Sequence, residues 1–175
     1  LWKKVAEMGW TATVIPEEYE GLGLSYLELS VIAEELGRAM APIPFSSSVY
    51  LATEAILLAG SEEQKQAYLP GLAAGTSIGC FALGESAGQT SPASLTTKAD
   101  GSSITGVKIP VADGDIANFA IVVATSDKGD GASMYIVDLD QDGDQDIVAL
   151  EFNSEPLVLV SDLSERRTVR FLEVE

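Results

Sequence analysis

The sequence contains no histidine and a single cysteine, Cys80, in 175 residues. Without histidine there is no Ser-His-Asp or Cys-His relay, and a zinc site loses its commonest nitrogen ligand. One cysteine cannot form an internal disulfide, which fits a reducing cytoplasm. Cys80 sits in the apolar run CFAL and reads as a buried strand residue, not a nucleophile. Basic residues are also scarce, 10 against 27 acidic ones, for a net charge of −17. A chain this acidic lacks the basic footprint that nucleic acid requires, and an anionic membrane surface repels it as well. No apolar run approaches the roughly 18–20 residues that span a bilayer, and no signal-peptide pattern is present.

The first part of the chain carries helical patterning. Ser25 followed by Glu28 is a capping box, in which hydroxyl and carboxylate each satisfy an orphan amide. Behind it Leu29, Ile32, Ala33 and Leu36 recur at i, i+3, i+4 and i+7, one apolar stripe of a helix that Gly37 is placed to stop. A second helix is expected over about 48–59, ending at Gly60. Ser61 with Gln64 opens a third, over SEEQKQAYL, closed by Pro70.

From about Gly79 the pattern turns to short runs rich in β-branched and aromatic residues, CFAL, FAIVVA, SMYIVDL and TVRFLEV, with turn formers between them. Helices followed by strands predict an α+β chain: a helical domain over residues 1–78, then an antiparallel β-barrel or sandwich over 79–175. One acidic run, Asp138 to Asp146, matches the D-x-D-x-D-G opening of a calcium loop. Its twelfth position is Ala149 where a bidentate glutamate belongs, and its flanks read as strands. A solvated hairpin turn accounts for it better, and no metal site is assigned.

One stretch is more specific than any of these patterns. GWTATVIPEEYEGLGLSYLELSVIAEELGRAM, from Gly9 to Met40, sets a Pro-Glu-Glu-Tyr turn and a Gly-Leu-Gly-Leu loop directly before the capped helix. It resembles the N-terminal helical domain of the acyl-CoA dehydrogenase family. The resemblance continues through LAGSEEQKQAYLPGLAAG (Leu58 to Gly75), FALGES (Phe81 to Ser86) and GVKIPVADGDIANFAIVVATS (Gly106 to Ser126). It implies a helical domain, a central β domain and a C-terminal helical bundle, the last absent from this chain. It implies FAD-dependent α,β-desaturation of an acyl-CoA thioester, an oxidoreductase of fatty acid metabolism. Partners implied are the acyl-CoA substrate, a homo- or hetero-oligomer with another dehydrogenase subunit, and an electron-transfer partner.

In the family a glutamate of the C-terminal bundle removes the α-proton, so no catalytic residue is expected within this chain. The polyanionic CoA calls for local basic groups, of which Lys98, Arg166 and Arg167 are among the few available. Tyr26, Leu27 and Met40 stand either as acyl-pocket residues or as bundle packing. The flavin is gripped in the family by two segments of the β domain. The first usually runs Thr-Glu-Pro, a Gly-rich turn, then Ser-Asp; here it is Leu83-Gly84-Glu85-Ser86-Ala87-Gly88-Gln89-Thr90-Ser91. Glu85 is kept, Gly84 replaces the threonine, and Thr90 falls at the serine position. The second usually runs Lys-x-Trp-Ile-Thr-Asn-Gly; here it is Lys108-Ile109-Pro110-Val111-Ala112-Asp113-Gly114. Pro110 replaces the ring and Ala112 the hydroxyl.

The resemblance therefore nominates Phe81, Leu83, Gly84, Thr90, Pro110 and Ala112 as the FAD-facing positions. Three of them have lost the stacking or hydrogen-bonding group, each contact worth roughly 1 kcal/mol net. That pattern raises an alternative, a non-catalytic structural subunit with a degenerate flavin site, paired with a competent dehydrogenase subunit. Asn118 and Phe119 fit the family's Asn-aromatic pair and are assigned to strand packing.

Overall fold

The computed structural model describes residues 1–85, 94–100, 103–126, 131–139 and the strand 147–150. The chain divides into two compact units, Leu1–Gly79 and Cys80–Glu175.

The first unit is helical. It contains α1 (Trp2–Glu7), a 3-10 turn (Glu17–Tyr19), α2 (Tyr26–Arg38), a π-helical stretch (Ser46–Thr53) running into α3 (Glu54–Ala59), and α4 (Glu62–Ala73). Both capping boxes form. Ser25 Oγ accepts from the Leu27 amide at 3.2 Å while Glu28 takes the Ser25 amide at 2.9 Å. At α4, Ser61 Oγ accepts from the Gln64 amide at 3.3 Å and Gln64 returns to the Ser61 amide at 2.7 Å. The stripe on α2 turns inward: Leu29 is buried with Val5, Phe45 and Val49, and Ile32 and Leu36 pack against that cluster. Phe45 and Tyr50 meet edge to face, centroids 5.3 Å apart, a geometry their ring quadrupoles favour.

Helix ends differ from the sequence expectation in two places, each for a local reason. Gly37 lies inside α2, which runs on to Arg38 and is capped just beyond it. There the Met40 amide bonds to Gly37 O at 3.1 Å and the Ala41 amide to Leu36 O at 3.1 Å. These two bonds form a Schellman cap with Met40 at the left-handed position, φ +45°. Pro70 likewise sits inside α4. Buried Leu69 and Leu72 on either side of it hold the last turn in place. A second Schellman cap at Gly75, φ +66°, ends the helix. No other residue fits at 75, since a Cβ there would stand 2.5 Å from that of Ala6. Trp2 Nε1 donates to Gly75 O at 2.8 Å and Thr11 Oγ1 to Ala73 O at 2.7 Å, fastening α1 and the following turn to the end of α4.

The second unit is built on a mixed sheet, with β1 (Gly79–Ala82), β2 (Lys98–Ala99), β3 (Ile104–Thr105), β4 (Phe119–Ser126), β5 (Ala132–Asp138) and β6 (Ile147–Leu150). The order is β3-β2-β4-β5-β6, with β1 also paired to β4. Pairings β2–β3, β4–β5 and β5–β6 are antiparallel, as expected, while β2–β4 is parallel. Among the described residues the sheet is open, not closed into a barrel. β4 is the central strand. Alternation sends Ala120, Val122 and Ala124 into one cluster with Cys80, Ala82, Tyr135 and Val137. On the opposite face Ile121 sits across from Ile136, both fully buried. The calcium-like run begins at the end of β5 and ends where β6 starts, the antiparallel flanks a hairpin needs; residues 140–146 lie outside the described residues. Among the described residues no helix is long and apolar enough to cross a membrane.

Candidate functional site

The Pro-Glu-Glu-Tyr turn and Gly-Leu-Gly-Leu loop form a single locked structure. The Leu22 amide bonds to Ala12 O at 2.9 Å, the Gly23 amide to Ile15 O at 2.8 Å, and the Leu24 amide to Thr13 O at 2.8 Å. The loop thus lies flat along residues 12–15. Gly21 makes the close approach possible, since a Cβ there would stand 1.8 Å from Ile15 O. Tyr19 is buried and donates its hydroxyl to Glu62 at the start of α4. That bond, aided by burial and the nearby Glu18 and Glu62 charges, pushes the phenol up to about 12. Tyr26, Leu27 and Met40 point outward, 61%, 71% and 85% exposed.

The two nominated flavin segments run side by side. After β1, Gly84 O accepts the Ile109 amide at 2.8 Å, and Glu85 bridges to Ile109 in parallel register. Glu85 is the centre of the junction. Its Oε1 accepts from the Thr97 amide (2.8 Å), Thr97 Oγ1 (2.5 Å) and Lys108 Nζ (2.9 Å). Its Oε2 accepts from the Thr96 amide (2.6 Å) and Thr96 Oγ1 (2.7 Å). Lys108 also donates to Leu83 O at 3.2 Å. Burial opposes ionisation of Glu85, but the donors of Thr97, Lys108 and Thr96 outweigh it and hold the carboxyl well below the usual carboxylate range. The junction is therefore charged, saturated with hydrogen bonds and turned inward.

Around it the nominated positions fall as follows. Phe81 lies in β1, half-buried, and Leu83 and Gly84 follow it, also half-buried. Pro110 and Ala112 are exposed, Ala112 at the start of a turn, and the Ile109–Pro110 peptide is cis. Thr90 lies outside the described residues, as do Arg166 and Arg167. Lys98 is exposed on β2. The structure brings Gly84 against Ile109 and Pro110: a Cβ at 84 would meet Ile109 O at 2.9 Å and Pro110 Cδ at 3.6 Å. Positions 84, 110 and 112 offer neither an aromatic ring nor a side-chain donor, and a Cβ at 84 would meet the backbone of Ile109 and the ring of Pro110. They do not fit the side-chain grip on a flavin that the resemblance implies.

Sequence reasoning named Glu85 without finding its partners. Thr96 and Thr97 carry no motif, and Lys108 lies 23 residues from Glu85, too far for a local pattern. Cys80 is fully buried, and burial, with the Asp113 charge adding, pushes its thiol up to about 11, an inert strand residue as expected.

Residues 1–76 match the family model described as acyl-CoA dehydrogenase, N-terminal domain. The chain is 35% identical over 152 residues to the human short-chain specific acyl-CoA dehydrogenase, mitochondrial. That match covers 81% of this chain and 36% of the human protein, so the chain spans about a third of the length of the curated relatives it matches. Among solved structures, the glutaryl-CoA dehydrogenase from Mycobacterium smegmatis in complex with FADH2 superposes with a TM-score of 0.71 at 30% identity. The match covers 81% of this chain and 38% of that one. The ChsE4-ChsE5 complex from Mycobacterium tuberculosis gives a TM-score of 0.69 at 28% identity, covering 81% and 38%.

Proposed function

Since the chain belongs to the acyl-CoA dehydrogenase family, we propose that it is a component of an FAD-dependent assembly that desaturates an acyl-CoA thioester at the α,β bond. The observation carrying this reading is the likeness, over 152 residues that span both compact units, to an enzyme named for that activity. Residues 1–78 then serve as the helical domain and 79–175 as the β domain. The assembly would be oligomeric, take acyl-CoA as substrate and pass electrons to a separate acceptor. Lone, buried Cys80 suits a reducing compartment, and the cytoplasm is the setting proposed.

A second reading, that the chain is a structural subunit beside a competent dehydrogenase subunit, is favoured by one observation: Gly84, Pro110 and Ala112 supply no side-chain flavin contact. The ChsE4-ChsE5 complex is a two-component relative with which such an arrangement can be compared.

The test is to purify the full-length gene product with any co-encoded dehydrogenase subunit and add acyl-CoA thioesters of graded chain length without oxygen. Bleaching of the flavin band supports the desaturase reading. A flavin band that no acyl-CoA bleaches counts against it.

A further inference from the structure

We propose that residues 46–53 are a register switch, a helical segment with two accessible hydrogen-bond registers, π as seen here and α, whose choice decides which neighbours the continuous helix 46–59 packs against. The segment carries α-helical patterning in its sequence. Phe45, Val49, Ala52 and Ile56 fall at i, i+4, i+7 and i+11, which at about 100° per residue is one apolar stripe. The structure divides that stripe. Phe45 and Val49 are buried in the cluster with Val5 and Leu29, and Tyr50 packs there with them. Ala52 and Ile56 are fully buried but are not among the described residues of that cluster, and α3 packs against α4. The π stretch, whose hydrogen bonds span five residues instead of four, turns the helix between the two halves.

Two side-chain contacts hold the π register, and each joins residues five apart. Thr53 Oγ1 donates to Ser48 O at 2.9 Å. In an α-helix a threonine hydroxyl reaches the carbonyl three or four residues back, and Ser48 is the fifth. The edge-to-face pair of Phe45 and Tyr50 has the same spacing. In an α-helix residues five apart point about 140° away from each other, so that pair would part. Return to α turns α3 by about 100° for each residue of shift. Ile56 then swings toward the α2 side, into line with Phe45 and Val49, and Glu54 leaves the Tyr26 hydroxyl it accepts from here. Exposed Leu58 turns with them, so the register also sets which apolar side chain α3 offers outward. Each register buries Ile56 against a different neighbour, which is what makes both accessible.

The full-length gene product, with any co-encoded dehydrogenase subunit, is tested in two ways. Crystal structures are compared for the double variants Thr53→Val with Tyr50→Leu and Thr53→Ser with Tyr50→Phe. The second pair keeps the hydroxyl and the ring and should stay in the π register. The first loses both and is expected in the α register, with Tyr26 released from Glu54. A first pair that keeps the π register overturns the inference. Amide hydrogen exchange of the parent chain is then measured, a readout that stands whether or not the variants fold. Amides of 50–53 should exchange about tenfold or more faster than those of 69–72 in buried α4, because each change of register breaks their bonds. Equal protection of the two segments means one fixed register and also overturns the inference.

Discussion

The ammonium of Lys108 stands 2.9 Å from the carboxylate of Glu85, with 4% and 13% of the two side chains exposed. An ion pair so far from water is tolerated because every other demand on it is met: Thr96 and Thr97 donate four more bonds to the carboxylate, and Leu83 O accepts a further hydrogen bond from Lys108. Removing one partner strands the other. Glu85→Ala is expected to cost about 3–5 kcal/mol, the range for breaking a buried pair, read as a shift in the denaturant midpoint. A cost below 1 kcal/mol would place the pair in water.

The same carboxylate makes stability depend on acid. Its folded-state pKa lies below the ordinary value of 4.5, so its contribution is full above that value and is lost as pH falls toward the folded one. The stability difference between the parent chain and Glu85→Gln should be flat at neutral pH and shrink on acidification below 4.5. A difference that grows as pH falls contradicts this assignment.

Tyr19 provides the alkaline counterpart. Its phenol is raised from 10.0 to about 12, chiefly by its hydrogen bond to Glu62. The stabilisation it gives is present below 10 and lost as pH rises toward 12. Ultraviolet titration of tyrosinate should show one phenol ionising near pH 12, and Tyr19→Phe should delete that late step while leaving the others.

Two glycines separate sterics from propensity. At Gly21 a Cβ would lie 1.8 Å from Ile15 O; at Gly37, inside α2, nothing lies within 4 Å. Gly21→Ala should destabilise by about 3 kcal/mol or displace the loop. Gly37→Ala should stabilise by about 0.5–1 kcal/mol through helix propensity alone. Thermal unfolding of both variants decides it, since a shared sign would refute the loop geometry.

The left-handed residue at the end of α2 allows a comparable gain. Met40 adopts φ +45° with its side chain 85% exposed, so Met40→Gly removes backbone strain and almost no packing. A gain of about 0.5 kcal/mol is expected in chemical denaturation, the relief of strain being partly offset by the freer unfolded chain.

What could be read from the sequence was local. Ser25–Glu28 and Ser61–Gln64 each satisfy their bonds within four residues, so the helix starts were legible. So was β4, whose FAIVVATS run is long enough to declare itself. The end of α2 was not: Gly37 carries the usual stop signal, yet a methionine takes the left-handed position, and only the backbone shows that. The parallel pairing of β2 with β4 joins Lys98 to Thr125, a long-range choice with no mark in either segment. At the candidate site, the losses at 84, 110 and 112 could be seen by comparison with the family pattern. The junction beside them could not, because it depends on distances between backbone atoms and on a Glu-Lys pair 23 residues apart.

Membership of an FAD-dependent, acyl-CoA-desaturating assembly is tested most directly on the flavin itself. The full-length gene product should be purified with any co-encoded dehydrogenase subunit, and its flavin absorbance followed while acyl-CoA is added without oxygen. The expected result is a flavin band that acyl-CoA bleaches. A preparation without flavin, or one whose flavin no acyl-CoA bleaches, would contradict it.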